Sequence, residues 1–359
     1  MAVASLPGAV VLFGSGETAA VGSGALRWLG GTERAPRCIA ILETPAGFEP
    51  NADAVARRWT DFLRRQPETD GAELVQLPAR RRGTPLSPDD PELVRPLLRA
   101  DLFVLGAGSP TYAVRQLQGS LAWQYAQAAH LLGASFFLAS AAAVAAGTCA
   151  LPVYEIYKVG EDLHWKEGLG LLEPYGLALA VVTHWDNTDG GAMLDTSRCY
   201  MGEARFADLL ALLPAHVVVV GIAEHTALAL DPATATAHVL GRGGVTVLRD
   251  GAPTSFARGA SFPLATLGPF SLPRVETSVP AETAQAIRAA RSGRGATTPP
   301  ADVAALVLSR EQARAARDWA TADRLRREIV DQGWRIEDGP AGPRLLPLGR
   351  TPISERPQG

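Results

Sequence analysis

The chain has 359 residues, of which 47% are hydrophobic, and its formal net charge is −3 at pH 7. This size predicts one large domain with a smaller addition, and the near-neutral charge gives no general attraction to nucleic acid or anionic membranes. The three cysteines, Cys38, Cys149 and Cys199, show no pairing pattern, which predicts a reducing, cytoplasmic location.

Short apolar segments alternate with helical patterns along most of the chain. The predicted strands are residues 9–13, 38–42, 73–77, 101–105, 135–139, 177–182 and 217–222, and a terminal hairpin follows to residue 249. Strands that are mostly apolar and alternate with helices predict an α/β fold, a doubly wound parallel sheet covered on both faces. Ligands of such sheets bind beyond the carboxyl ends of the strands.

Glycine-rich turns follow several of these strands, at residues 14–17 (GSGE), 43–47 (ETPAG) and 106–110 (GAGSP). The GSGE turn is too short for a dinucleotide fingerprint, because the third glycine and the partner acid are missing. No histidine pair has metal-ligand spacing on one helix. We therefore expect neither a cofactor nor a metal.

Ser140 stands where an apolar strand turns directly into an alanine-rich helix. A serine on such a turn, between small neighbours, is typical of a nucleophile elbow. The alternative is a buried strand–helix junction whose serine caps the helix. Ser135 and Cys149 fit less well, because bulky residues follow each of them two positions later.

A serine nucleophile needs a base, a group that orients the base, and donors for an oxyanion. His184 and His225 both stand at predicted strand ends on the same side of the sheet as Ser140, and Glu224 ends a strand too. The amides of the Gly106–Gly108 turn and of Ala141 are the candidate oxyanion donors.

The character of the chain changes after residue 250. Residues 251–300 are Pro-rich and predict a loosely packed linker, residues 301–347 predict a helical hairpin with a small strand pair, and residues 348–359 predict a disordered tail. An uncharged run at 131–154 is long enough to span a bilayer, but its glycines, serines and threonine favour a buried strand, turn and helix. We expect no membrane span.

Together these motifs resemble the serine peptidases that include aspartyl dipeptidases and cyanophycinases, whose fold is similar to class I glutamine amidotransferases. The resemblance covers residues 8–250 and is carried by the segments GSGET (14–18), ETPAGFEPNA (43–52), GAGSPTYAVRQL (106–117), the Ser140 turn, THWD (183–186), RCYMGEARF (198–206) and GIAEHTAL (221–228). It implies cleavage of peptide or isopeptide bonds at aspartyl residues, without metal or cofactor.

By position, the resemblance implies that Ser140 is the nucleophile, His184 the base and Glu224 the acid, with Gly106 and Ala141 as oxyanion donors. Its further implication is a pocket for a small peptide or acidic small molecule, and a homodimer is one expected assembly. The candidate substrate-binding residues are Gly108, Ser109, Trp185, Arg198 and Arg205.

The elbow departs from the family pattern at Leu138 and Ala142, where glycines are usual. A methyl group fits many tight turns, but a branched Leu138 side chain would open the turn and misplace Ser140 Oγ. An error of about 1 Å costs roughly a hundredfold in rate. Two interpretations stay open, namely an active or slow serine hydrolase, and a catalytically degenerate binding protein that retains the cleft for a small acidic ligand or peptide.

A second resemblance covers residues 303–346, which are similar to the C-terminal end of cysteinyl-tRNA synthetases. The remaining motifs of a synthetase are absent from the chain. Arginines and acidic residues nearly balance in this segment, whereas RNA binding depends on phosphate neutralisation. Packing or a protein partner is therefore favoured over tRNA contact.

Overall fold

A computed structural model describes residues 6–32, 36–292, 301–332, 334–339 and 342–347. The chain divides into two compact units between Arg288 and Ala289. The predicted tail, residues 348–359, lies outside the described residues. No helix in the described ranges is both long enough and apolar enough to cross a bilayer.

The first unit is built of strands and helices that alternate along most of its length. Its strands are β1 (Val10–Phe13), β2 (Cys38–Leu42), β3 (Glu73–Leu77), β4 (Leu102–Leu105), β5 (Ser135–Ala139), β6 (Cys149–Ala150), β7 (Lys166–Glu167), β8 (Leu179–Val182), β9 (Val218–Ile222), β10 (Thr226–Asp231), β11 (Thr236–Gly241), β12 (Val245–Arg249), β13 (Ala252–Phe256) and β14 (Ser261–Pro263).

Helices connect and cover these strands. They are α1 (Ala20–Thr32), α2 (Ala52–Leu63), α3 (Pro91–Val94), α4 (Pro110–Leu117), α5 (Leu121–Leu131), α6 (Ala141–Ala145), α7 (Gly202–Ala211), α8 (Val275–Ser278) and α9 (Ala281–Ser292), which crosses the division between the units. Short 3-10 turns lie at Thr44–Ala46, Pro67–Thr69, Arg95–Arg99, Glu173–Tyr175 and Leu264–Leu267, and a π-helical turn lies at Glu155–Val159.

The larger sheet of the described residues has the strand order β14-β11-β10-β1-β5-β4-β2-β3. Strands β1, β5, β4, β2 and β3 are parallel, whereas β10, β11 and β14 join antiparallel. Strands β1, β2, β4 and β5 are buried along their whole length, as expected for strands covered on both faces. The predicted α/β fold is confirmed.

A second sheet has the order β13-β12-β9-β8-β6-β7. His184 and Glu224 follow its neighbouring parallel strands β8 and β9, whereas Ser140 follows β5 of the larger sheet. The expectation that all three end strands of one sheet is therefore wrong. A single sequence reveals that segments are strands but not which ones pair.

Side chains alternate across β5 into two hydrophobic cores. Phe136 and Leu138 belong to one core, and Phe137 and Ala139 belong to the other. This alternation matters for the site, because it sets the direction of the residues that lead to Ser140.

The predicted linker at 251–300 is wrong for its first forty residues. β13 pairs with β12, β14 pairs with β11, and the side chains of Leu264, Leu267 and Ile287 are fully buried. Pro253 and Pro263 lie on the two edge strands β13 and β14, where proline is tolerated because no further strand needs its missing N–H. These two prolines therefore mark sheet edges and not a linker.

The second unit contains α10 (Ala301–Ala315), α11 (Trp319–Asp331), β15 (Trp334–Gly339) and β16 (Gly342–Pro347). The Asp318 side chain caps α11 by accepting a 3.1 Å hydrogen bond from Thr321 N. A small core of Val303, Ile329, Trp334 and Ile336 holds the unit together. The predicted appended helical hairpin is confirmed.

Candidate active site

Ser140 occupies a strained turn between β5 and α6. Its φ of 51° and ψ of −113° lie in a region that residues with a side chain rarely adopt. The backbone holds the turn, because Ser140 N donates to Phe13 O at 3.2 Å and Val144 N donates to Ser140 O at 3.1 Å. This is the backbone geometry of a nucleophile elbow, with Ser140 Oγ at its apex.

Leu138 does not open this turn. Its side chain is buried in the same core as its cross-strand neighbours Leu12 and Leu105. Because side chains alternate along a strand, the branched group packs into the sheet's core two residues before the apex. The crowding expected from the sequence is absent at this position.

Ser140, His184 and Glu224 form one chain of hydrogen bonds. Ser140 Oγ lies 3.0 Å from His184 Nε2, and His184 Nδ1 lies 2.9 Å from Glu224 Oε1. An ionised carboxylate only accepts, so Nδ1 carries the proton and Nε2 is free to accept from the serine hydroxyl. The arrangement can therefore take a proton from Ser140 in the manner of a serine–histidine–acid triad.

Three side chains donate hydrogen bonds to the Glu224 carboxylate. Besides His184, Asn187 Nδ2 donates to Oε1 at 2.9 Å, and Ser15 Oγ donates to Oε2. Partial burial alone would raise the pKa of Glu224, but the hydrogen bonds from His184, Asn187 and Ser15 outweigh it and lower the pKa to about 2. Glu224 is therefore ionised at neutral pH, as an orienting acid must be.

Ser15 is a site residue that the sequence interpretation missed. Its hydroxyl donates to Glu224 and accepts a 2.9 Å hydrogen bond from His225 N. The flanking glycines make this approach possible, since a Cβ at Gly14 would collide with Ala223 O and one at Gly16, where φ is +70°, with the His225 ring. The two glycines of the GSGE turn thus indicate, in the sequence, a place where the backbone after β1 lies very close to residues 223–225.

His225, the alternative base, also has a positive φ of 53°. Its ring lies against Gly16, and it is not among the residues that line the space around Ser140. His184 is therefore the histidine that forms a hydrogen bond with Ser140.

Ser140 lines a cavity of about 360 Å³. Its other lining residues are Gly108, Pro110, Ala141, Val144, Val153, Tyr154, Tyr157, Lys158, Thr183, His184, Cys199 and Tyr200. Burial raises the pKa of the Cys199 thiol to about 12, so this cysteine is not a competing thiolate. The volume and the apolar and aromatic lining suit a small-molecule site.

The two predicted oxyanion donors, Gly106 and Ala141, line different cavities. Ala141 lines the Ser140 cavity, and its N–H, the first of α6, has no intrahelical acceptor. Gly106 instead lines a small cavity beside Trp59. Gly108 lines the Ser140 cavity, and its φ of +146° together with the nearby Pro45 carbonyl leaves no room for a Cβ. Gly108 is thus better placed than Gly106.

Arg198, Arg205 and Trp185 do not line the Ser140 cavity. Arg198 Nη1 donates to Trp185 O at 2.8 Å and its guanidinium lies 4.1 Å from the Trp185 ring centroid. Arg205 donates through Nε to Met201 O at 2.8 Å and through Nη2 to Tyr200 O at 3.0 Å. Arg198 Nη2 also pairs with Glu203 Oε1 at 3.1 Å. The donors of both arginines are thus used on backbone carbonyls and on Glu203, away from the lining of the Ser140 cavity.

These arginines hold an unusual loop. Arg198, Cys199 and Tyr200 have consecutive positive φ angles of 55°, 58° and 69°, a conformation that costs energy at each non-glycine residue. The loop places Cys199 and Tyr200 on the cavity wall. The ring centroids of Tyr200 and His184 are 6.0 Å apart.

Ser109 lines a second, larger cavity of about 790 Å³, and its Oγ caps α4 by accepting from Tyr112 N at 3.2 Å. Tyr154 lines both cavities. The larger cavity carries charges of both signs, from Glu49, Arg115, Glu155, Lys166 and Glu167.

Within the described ranges, no group of three or more histidine, cysteine, aspartate or glutamate side chains is arranged to hold a metal ion.

No protein-family model matches the chain. Its structure is similar to the crystal structure of a peptidase from an acI-B1 Actinobacterium, with a TM-score of 0.58 and 24% sequence identity over 72% of this chain and 98% of that one. The likeness is one of fold.

Curated proteins match only a short stretch of the chain. A 47-residue segment is 51% identical to cysteine–tRNA ligase 1 of Burkholderia lata, and a 46-residue segment is 52% identical to the cysteine–tRNA ligase of Rubrobacter xylanophilus. Each segment is 13% of this chain, and the chain spans about a tenth of the length of these relatives. The match is consistent with the C-terminal part, where the resemblance to cysteinyl-tRNA synthetases was expected.

Proposed function

We propose that the first unit is a serine hydrolase of the aspartyl dipeptidase and cyanophycinase type, which cleaves peptide or isopeptide bonds at aspartyl residues. The observation that carries the proposal is the hydrogen-bonded chain Ser140–His184–Glu224, which starts from a strained turn. The peptidase-like fold and the motif resemblance support it, and the aspartyl specificity comes from the resemblance.

In the proposed reaction, Ser140 Oγ attacks the scissile carbonyl carbon while His184 Nε2 takes the hydroxyl proton. Glu224 stabilises the resulting imidazolium through Nδ1–H. The negative charge on the carbonyl oxygen is stabilised by the Ala141 N–H and by the Gly108 turn.

His184 then gives its proton to the leaving nitrogen, and the peptide bond breaks to leave an acyl ester on Ser140. A water molecule, deprotonated by His184, attacks the ester and releases the acid. The proton returns to Ser140 Oγ, so the cycle consumes one water for each bond cleaved.

The rival function is a binding protein that retains the cleft without turnover. The two functions differ in the reactivity of Ser140, which a fluorophosphonate probe measures directly. We expect the wild-type chain to be labelled, Ser140→Ala to be unlabelled, and His184→Ala to be labelled at least about a hundredfold more slowly, because the base is lost.

His225→Ala is the matched control, since His225 also follows a strand with a positive φ but lies outside the cavity. It should be labelled at the wild-type rate. Equal labelling of wild type and Ser140→Ala would show that another residue reacts. A folded wild-type chain that is never labelled and cleaves no aspartyl dipeptide would establish the binding protein instead.

A further inference from the structure

The charged side chains that line the Ser140 cavity are of one sign, which is positive. Among its lining residues, Lys158 is the one with a full positive charge, and none is an aspartate or glutamate. The larger cavity beside it is lined by three carboxylates and two cationic side chains, Arg115 and Lys166. An anionic group is therefore attracted to Lys158 on the Ser140 side of the cleft. The nearby Glu224 carboxylate does not line this cavity and is engaged by His184, Asn187 and Ser15.

The Lys158 ammonium is available for a ligand. It lies 4.8 Å from the centroid of the Tyr157 ring, and no described residue forms an ion pair or hydrogen bond with its Nζ. Lys158 also belongs to the π-helical turn Glu155–Val159, which ends at Gly160 with a φ of 85°. Turns of this kind are rare and occur frequently at functional sites.

The choice of lysine is itself unusual in this chain. Lysine and arginine together number 34, yet Lys158 and Lys166 are the only lysines in the sequence. Both line the cleft, Lys158 in the Ser140 cavity and Lys166 in the larger one. A compact ammonium on a flexible stem suits a point contact with a carboxylate, whereas arginine favours a fixed, two-pronged contact.

We propose that Lys158 determines specificity by binding the side-chain carboxylate of the substrate residue on the acyl side of the scissile bond. This rests on the proposed function, and it assigns to Lys158 the charge recognition that the sequence suggested for Arg198 and Arg205. It also orients the substrate, so that bonds following an acidic residue are cleaved and bonds preceding one are not.

The test compares aspartyl-p-nitroanilide with asparaginyl-p-nitroanilide, which are nearly equal in shape and differ in charge. Lys158→Ala should lower kcat/KM for the aspartyl substrate about tenfold or more and leave the asparaginyl value nearly unchanged, because a charge-assisted hydrogen bond is lost. Lys158→Arg should restore part of the preference, and Lys158→Glu should reduce it below the Lys158→Ala level.

Lys166→Ala is the control, since it removes the chain's other lysine from the neighbouring cavity. Its aspartyl-to-asparaginyl ratio should equal the wild-type ratio. The proposal is overturned if Lys158→Ala keeps the wild-type ratio, or if Lys166→Ala lowers it as much as Lys158→Ala does.

A binding measurement separates this proposal from the proposed function. Calorimetry on Ser140→Ala, with and without Lys158→Ala, gives the affinities of both p-nitroanilides without turnover. A Lys158-dependent preference for the aspartyl compound supports the proposal even if the wild-type chain hydrolyses neither compound, an outcome that would refute the proposed function alone. No such preference refutes the Lys158 assignment whatever the activity.

Discussion

Ser15 shows how a single hydroxyl can organise a site it does not line. It links the end of β1 in the larger sheet to Glu224 at the end of β9 in the second sheet. Its hydroxyl proton is directed at Glu224 because its oxygen is already occupied by the His225 N–H. Ser15 is a positioning residue, which acts on the reaction through Glu224.

Replacing Ser15 by alanine should lower kcat about tenfold and leave KM nearly unchanged, because one hydrogen bond to the carboxylate is lost while the cavity wall is intact. Ser15→Thr, which keeps the hydroxyl, should recover much of the activity. Steady-state kinetics on an aspartyl substrate check both. A rise in KM with normal kcat would show that Ser15 contacts substrate instead.

His130 is a buried histidine with a structural role. Its Nδ1 donates to Ala134 O at 2.9 Å, and its Nε2 accepts from the Tyr175 hydroxyl at 2.7 Å. Burial lowers its pKa to about 4, against a smaller opposing effect of the Ala134 carbonyl. The folded chain therefore holds His130 neutral.

This depressed pKa predicts acid sensitivity. Above the unfolded-state pKa of about 6.5 the neutral ring costs nothing, and as the pH falls from 6.5 to 4 the unfolded chain gains a proton that the folded chain refuses. The free energy of unfolding should fall across that window in wild type and less steeply in His130→Gln. Urea titrations at several pH values measure it, with the exposed His216→Gln as control. Parallel slopes for wild type and His130→Gln would disprove the assignment.

At the scale of elements, the turn from β5 to α6 depends on the packing of the strand before it. Leu138 contributes to that packing through the core it shares with Leu12 and Leu105. The structure thus reverses what the sequence suggested, namely that a smaller residue would relieve the turn.

Leu138→Ala should lower the free energy of unfolding by about 2–5 kcal/mol, the usual range for a leucine deleted from a core. It should not increase the probe-labelling rate of the folded fraction. Chemical denaturation and labelling kinetics on the same samples check both statements. Faster labelling with little loss of stability would mean that Leu138 does strain the elbow.

The conformation of the 198–200 loop depends on the two hydrogen bonds that the Arg205 guanidinium group donates to backbone carbonyls. Arg205→Lys keeps the charge but cannot reproduce both hydrogen bonds to Met201 O and Tyr200 O. We expect it to lower the melting temperature by several degrees and to reduce kcat/KM about as much as Arg205→Met does. If Arg205 instead supplied charge to a substrate, Arg205→Lys would keep most of the activity and Arg205→Met would not.

Whether a feature could be predicted from the sequence depends on how far apart its contacting residues lie along the chain. The strands, the Ser140 turn and the grouping of Ser140, His184 and Glu224 follow from local patterns and from the motifs. The partition into two sheets, the Ser15 contact across 209 positions and the use of Arg198 and Arg205 on carbonyls are long-range outcomes. No local pattern of one sequence encodes such pairings.

At the scale of the molecule, the division near residue 288 differs from the boundary near 250 that proline content suggested. Residues 251–288 include Leu264, Leu267 and Ile287, which belong to the main core. The first unit therefore needs residues 251–288 to complete its hydrophobic core.

A chain ending at Gly295 should unfold cooperatively and keep wild-type probe labelling, whereas a chain ending at Asp250 should aggregate or fail to fold. Calorimetry measures whether each truncated protein unfolds cooperatively, and probe labelling measures whether its Ser140 is reactive. Together they show which boundary is right. A stable, labelled protein ending at Asp250 would restore the earlier boundary, and an inactive one ending at Gly295 would show that the second unit is required.

The order in which the strands enter the two sheets has a consequence for synthesis. The chain builds β1–β5 into the larger sheet and β6–β9 into the second, returns for β10 and β11, crosses again for β12 and β13, and comes back for β14. The second sheet is complete only when Phe256 has been synthesised, and the larger sheet only when Pro263 has been. The nascent chain therefore carries Ser140 and His184 on two unfinished sheets, and we expect it to gain hydrolytic activity only after Pro263 of its 359 residues has been synthesised.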